Sequence, residues 1–260
     1  MADSKSSHGP LIEVQDLGRR YGEGAAAVDA LKGVSLSIAR GQMVALMGPS
    51  GSGKSTLMNI LGLFDRASSG SYRLAGLDML RLSAKAQAEL RGRRIAFVFQ
   101  GIHLLPRLTA LDNVKLPMEY ARMPRTEHME RAKAALARLG VQNLADRYPS
   151  QMSGGQAQRV AIARAIAAGP DLLLADEPTG ALDRKSGRMV LQAFQNLHRQ
   201  TGVTVVIVTH DPLVAQHAER LIELEDGCVL SDHEVADRMV VEDAEEELDA
   251  SMLSPKGDAP

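Results

Sequence analysis

Gly48-Pro-Ser-Gly-Ser-Gly-Lys-Ser55 decides the reading of this chain. Gly48, Gly53, Lys54 and Ser55 match the pattern G-x-x-x-x-G-K-[ST] at every fixed position. Context matters as much as the letters. The apolar run Val44–Met47 precedes the stretch as a strand, and Lys54–Leu63 follows as a helix. In such a turn Gly48, Pro49, Ser50, Gly51, Ser52 and Gly53 let the backbone wrap closely around phosphate groups. Backbone N–H groups and the start of the helix then meet the negative charge. Lys54 is expected to reach the β- and γ-phosphates, the Ser55 hydroxyl to bind Mg²⁺, and Thr56 to add a second hydroxyl nearby.

Working outward, Val44–Met47, Ile95–Phe99, Leu172–Ala175 and Val203–Thr209 are continuously apolar, as strands of a parallel sheet covered on both faces should be. Leu11–Leu17, Val34–Ile38 and Tyr72–Ala75 read as further strands between turns such as Gly22–Gly24 and Ala75–Gly76. The run Leu172-Leu-Leu-Ala-Asp176-Glu177 ends in two carboxylates, and in a parallel sheet such an end lies near the phosphate loop. There Asp176 is expected to hold Mg²⁺ through water and Glu177 to polarise an attacking water. Taken alone that pattern is weak, because acids often cap strand ends. Between these strands the periodicity turns helical. Met129, Ala132, Leu136 and Leu139 recur along Thr126–Leu139 before Gly140, and Val190, Ala193, Phe194 and Leu197 mark another amphipathic helix.

Met152-Ser-Gly-Gly-Gln156 opens a second glycine-rich helix start, surplus to one phosphate site unless it serves another nucleotide. These residues resemble the Leu-Ser-Gly-Gly-Gln signature of the ATP-binding-cassette family, with Met152 in place of the usual leucine, an apolar exchange of similar volume. The resemblance covers about residues 11–230. It implies an α/β fold of the P-loop NTPase type: an ABC-type nucleotide-binding domain with a parallel-sheet core, an antiparallel β subdomain and a helical insert at about 101–165. It implies ATP and Mg²⁺ as ligands. Tyr21 stands where the family places the aromatic that stacks on adenine, though a plain surface tyrosine is the alternative. Gln100 looks like the glutamine that contacts Mg²⁺ and the water, Ala181-Leu-Asp183 like the loop that crosses the dimer interface, and His210 like the histidine that touches the γ-phosphate. Lys54, Gln100, Glu177 and His210 are therefore the expected catalytic set, and Ser55, Gln100 and Asp176 the metal set.

The resemblance also implies a head-to-tail homodimer, in which Ser153, Gly154, Gly155 and Gln156 of one copy close over the nucleotide held by the other. Integral membrane permease subunits on separate chains are the implied partners, at the cytoplasmic face of the cell membrane. Gly62-Leu-Phe-Asp-Arg66, Ala175-Asp-Glu-Pro-Thr-Gly-Ala-Leu-Asp183 and Val208-Thr-His-Asp-Pro212 look most like the branch that contains macrolide-exporter, lipoprotein-releasing and cell-division ATPases. That branch includes both transporters and machines that only transmit force, and the motor residues do not separate them. The leucines of Gly101–Asn113 fit either core packing or a groove for a permease helix.

Composition bounds the rest. No apolar run approaches the roughly 20 residues of a membrane span, and Met1–Pro10 is polar, so a peripheral protein is expected. The single cysteine, Cys228, cannot form an internal disulfide. Residues 231–260 carry ten acidic and two basic side chains, leaving a mildly basic body that suits phosphate ligands and is too weak to argue for nucleic acid. The expected organisation is a disordered 1–10, one ATPase domain over 11–235, and an acidic, disordered 236–260, with a short helix around Met239–Leu248 as an alternative.

Overall fold

The four continuously apolar runs become four adjacent strands of a six-stranded sheet in the computed structural model of the chain, which describes residues 9–240. The expectations for 1–8 and 241–260, including most of the short helix, lie outside the described residues. In chain order the elements are β1 (Ile12–Tyr21), β2 (Val28–Ile38), β3 (Met43–Met47), α1 (Lys54–Leu61), β4 (Ser69–Leu74), β5 (Leu77–Asp78), α2 (Ala84–Arg94), β6 (Ile95–Val98), α3 (Ala110–Tyr120), α4 (Arg125–Arg138), α5 (Gly154–Ile166), β7 (Leu172–Asp176), α6 (Arg184–Thr201), β8 (Thr204–Val208), α7 (Pro212–Ala215), β9 (Arg220–Glu225) and β10 (Cys228–Glu234).

The large sheet runs β10-β9-β3-β8-β7-β6, and the small one β2-β1-β4-β5 is antiparallel throughout. Successive side chains of a strand point to opposite faces, so one sheet feeds two cores. Met43, Ala45, Leu173, Ala175, Val205 and Ile207 pack with α3, α4, α5 and α6. Val44, Leu46, Leu172, Leu174, Val206 and Val208 pack with α1 and the antiparallel layer. This double burial is why these strands lack polar alternation. Residues 101–165 hold α3, α4 and nearly all of α5.

Three features depart from the sequence-based expectation. The large sheet is mixed: β10 runs antiparallel to β9, because Asp226-Gly227, both at positive φ, turn the chain back in a tight hairpin. Helix α2 shows no apolar periodicity because only Gln87 is buried, and it starts on the Ser83 cap. Met129 on α4 is exposed, and His128 takes the inward position with Nε2 against the Met123 carbonyl.

Glu219, just before β9, ties several elements together. It accepts from His198 Nε2 at 3.2 Å, Arg238 Nη1 at 3.0 Å and the backbone N–H of Met43 at 2.9 Å. The hydrogen bond from His198, chief among these, holds its carboxyl down at about 2, and the same bond raises His198. A depressed carboxyl stabilises the fold above its ordinary value of 4.5 and loses that contribution as pH falls through about 2. A raised histidine contributes fully below 6.5 and loses it as pH rises through its folded value. Glu219→Gln is therefore expected to lower the melting temperature by roughly 4–8 °C near pH 5.5. Thermal melts should show the gap to the unmodified chain narrowing as pH is taken below 4.5.

Candidate active site

The chain leaves β3 through Gly48 at φ +147, where a Cβ would lie 2.0 Å from the Leu224 carbonyl oxygen. At Gly53, φ +100, a Cβ would sit 2.6 Å from the Ala30 carbonyl oxygen. No other residue fits either place without moving backbone. Gly53 precedes α1 and brings no side-chain cap, so the N–H groups of the first turn are left to a ligand. Lys54 Nζ folds back onto the carbonyl oxygens of Gly48 at 2.8 Å and Pro49 at 2.7 Å. Burial lowers its pKa, opposed by the charges of Glu177 and Asp176.

The strand order β3-β8-β7 brings the ends of β7 and β8 beside this loop. Burial raises the Asp176 carboxyl, helped by the charge of Glu177 and opposed by Lys54. Glu177 adopts φ +45, unusual for a residue with a side chain, and its N–H is held by the Val208 carbonyl at 2.9 Å. Its Oε1 lies 2.6 Å from His210 Nδ1 and accepts the His210 backbone N–H at 3.1 Å. That carboxylate raises the His210 pKa. Gln100, after β6, lies against Gly180, where a Cβ would come within 3.0 Å of its Nε2.

Ser50, Gly51, Gly53, Lys54, Ser55, Thr56, Gln100, Asp176, Glu177 and His210 line one cleft of about 420 Å³. Ala30 and Val208 complete its wall and were not expected as site residues; as small or apolar residues they carry no chemical signal there. Gly48, Pro49 and Ser52 belong to the same loop but do not line the cleft. One hydroxyl, one amide and one carboxylate (Ser55, Gln100 and Asp176) converge on the cleft. This sparse oxygen-donor set fits Mg²⁺, which takes one or two carboxylates and completes its shell with waters and substrate phosphates.

Two expected groups do not reach the cleft. Tyr21 ends β1 with its hydroxyl donating to Asp65 Oδ2 at 2.6 Å and the Arg19 guanidinium 4.3 Å over its ring. The Ser153–Gln156 turn lies elsewhere, at the start of α5. Ser153 Oγ accepts the Gln156 N–H while the Gln156 side chain accepts the Ser153 N–H, a reciprocal cap. Gly155 is fixed by packing, since a Cβ would sit 2.8 Å from Ser186 Cβ on α6. Ser153 and Gly154 face solvent.

A second concavity of about 640 Å³ lies beyond Gln100. Phe64, Phe97, Phe99, Leu105, Leu116 and Tyr120 supply its apolar surface, and Arg91, Arg93 and Arg164 line it as well. Of the leucines in 101–113, only Leu105 contributes; Leu104 and Leu111 pack partly into the core.

Comparison with known proteins agrees with this geometry. The family description "ABC transporter" matches residues 31–180. Over 218 residues, 84% of the chain, it is 53% identical to the macrolide export ATP-binding/permease protein MacB of Escherichia coli (strain K12), and equally to that of Shigella flexneri. The match takes in 34% of each, so the chain spans about a third of the length of these curated relatives. A dimeric post-hydrolysis state of the ATP-binding cassette MJ0796 bound to ADP and Pi superposes with a TM-score of 0.77 at 41% identity, covering 86% of this chain and 99% of that one. The structure of cbiO1 from Clostridium perfringens, part of the ABC transporter complex cbiONQ, gives 0.81 at 28% identity, covering 94% of each.

Proposed function

The chain belongs to the ABC transporter family as an ATP-binding, ATP-hydrolysing cassette, and from that premise we propose that it works as a head-to-tail homodimer driving a membrane permease. One observation carries the reading. Nearly every phosphate-chemistry residue gathers in one cleft, while the Ser153–Gln156 turn, a solvent-facing helix start, stays outside it. A second copy, turned through two-fold symmetry, would place that turn over the nucleotide and give two composite sites.

In this reading Lys54 leaves the carbonyls of Gly48 and Pro49 for the β- and γ-phosphates, and the N–H groups opening α1 meet the same charge. Glu177 orients the attacking water, and His210 moves from Glu177 to the γ-phosphate. Ser55, Asp176 and Gln100 would hold Mg²⁺, which would supply positive charge against the negative charge of the phosphates. Catalysis is positioning and charge stabilisation. Tyr21 turns from Asp65 to the adenine. Cleavage of the γ-phosphate removes the charge that joins the copies, so they part.

The permease would insert a short cytoplasmic helix into the groove of Phe64, Phe97 and Tyr120, placing the chain at the cytoplasmic membrane surface. No helix among the described residues is long and apolar enough to cross a membrane. Macrolide, lipoprotein or peptide handling at the cell envelope is the proposed work, since two of the relatives named above are macrolide export ATP-binding/permease proteins.

Subunit complementation tests the composite site. Lys54→Ala and Ser153→Arg chains are each expected to be inactive. Mixed, they should regain roughly a quarter of the unmodified ATPase rate, because half of randomly paired dimers are mixed and each keeps one intact site. A mixture as inactive as its parents would exclude the head-to-tail arrangement.

A further inference from the structure

Gln158 sits on α5, two residues beyond the Ser153–Gln156 turn, and is 1% exposed among Val160, Ala161 and Ile162. A polar side chain there must have a reason. Its Nε2 donates to the carbonyl oxygen of Phe99 at 3.3 Å and to that of Pro178 at 3.0 Å. Phe99 is the residue before Gln100, and Pro178 is the residue after Glu177. One amide group thus pins the backbone next to both water-handling side chains.

We infer that Gln158 is a positioning residue for hydrolysis, holding Gln100 and Glu177 in mutual register and tying both to the helix that begins at Ser153. The chemistry is selective. Both partners are acceptors, and Pro178 has no N–H to offer, so the position demands a side chain with two N–H donors. The same fact fixes the orientation of the amide, since the flipped form would set its oxygen against two carbonyls. The other face of the group tells a second thing: Oε1 is buried with no hydrogen-bond partner. A helix that needed Gln158 only for its own stability would leave no such cost unmet. Without this tie, Glu177 still has His210 and Val208 about it and Gln100 keeps its side-chain contact with Gly180, but the backbone before Gln100 loses its hydrogen-bonded link to the turn that follows Glu177.

The inference rests on the roles proposed above for Gln100 and Glu177. It is tested on the full chain by measuring ATPase rates over a range of ATP concentrations for Gln158→Met, Gln158→Glu and Glu177→Gln. Met keeps the volume and removes both donors; Glu keeps the shape and sets oxygen against the two carbonyls. At a temperature well below each variant's melt, Gln158→Met is expected to lower kcat by roughly 10- to 100-fold, and Gln158→Glu by more. KM for ATP should stay within about twofold, because the phosphate loop is untouched. A kcat per folded molecule equal to that of the unmodified chain, or a raised KM with kcat intact, overturns the inference; either variant suffices to decide. If Glu177→Gln is inactive in that same series, the role of Glu177 stands and the Gln158 variants test the positioning by themselves. If Glu177→Gln keeps full activity, it is the assigned role of Glu177 that fails.

Discussion

Glu177→Gln is expected to cut kcat by about 10²–10³-fold and to leave a stable ATP-bound dimer. The substitution changes charge without changing shape. An amide cannot polarise the attacking water as a carboxylate does, yet it leaves Lys54, the first turn of α1 and the rest of the phosphate cradle intact. Removing the carboxylate also frees His210, whose Nδ1 lies 2.6 Å from Glu177 Oε1. Binding should therefore persist while cleavage stops. Size-exclusion chromatography with ATP would show a dimer peak, and phosphate release would fall near background. Hydrolysis at the unmodified rate would remove Glu177 from its role.

Lys54→Ala is expected to weaken ATP binding by about 10²-fold, the scale of losing charge-assisted hydrogen bonds to a phosphate. Burial works against the charge of Lys54, and its ammonium rests on two carbonyls of its own loop. A triphosphate offers a better partner than neutral carbonyls. The alanine variant loses that attraction and also a brace of the loop, so calorimetric titration should be paired with a melting curve. Unchanged affinity in a folded variant would count against the assignment.

Much of this site was legible from the sequence because its physics is local. Gly48 and Gly53 stand where a Cβ would strike backbone oxygen, and the apolar runs of β3, β7 and β8 betray burial on both faces. The ends of those strands carry Asp176, Glu177 and His210, whose roles became legible once the phosphate loop and the resemblance of the surrounding motifs were taken with them. What stayed hidden depends on long-range contact or on elements with little buried surface. The pairing of Tyr21 with Asp65 spans 44 residues and follows from how β1 meets the loop after α1. Helix α2 buries one residue and so has no stripe to read. The β9–β10 hairpin carries a local signal, Asp226-Gly227 between alternating residues. Gln158 was visible as a polar letter in an apolar helix, but its two carbonyl partners come from separate strand ends.

The double duty of the large sheet has a mechanical outcome. Its strands interlock on one side with the helices that carry Ser153 and on the other with the layer beneath the phosphate loop. Packed interiors scarcely compress. Force applied at the edge of the helical layer is therefore not absorbed as a local dent; it emerges as a tilt of the whole layer against a stiff partition, and the sheet serves as the fulcrum.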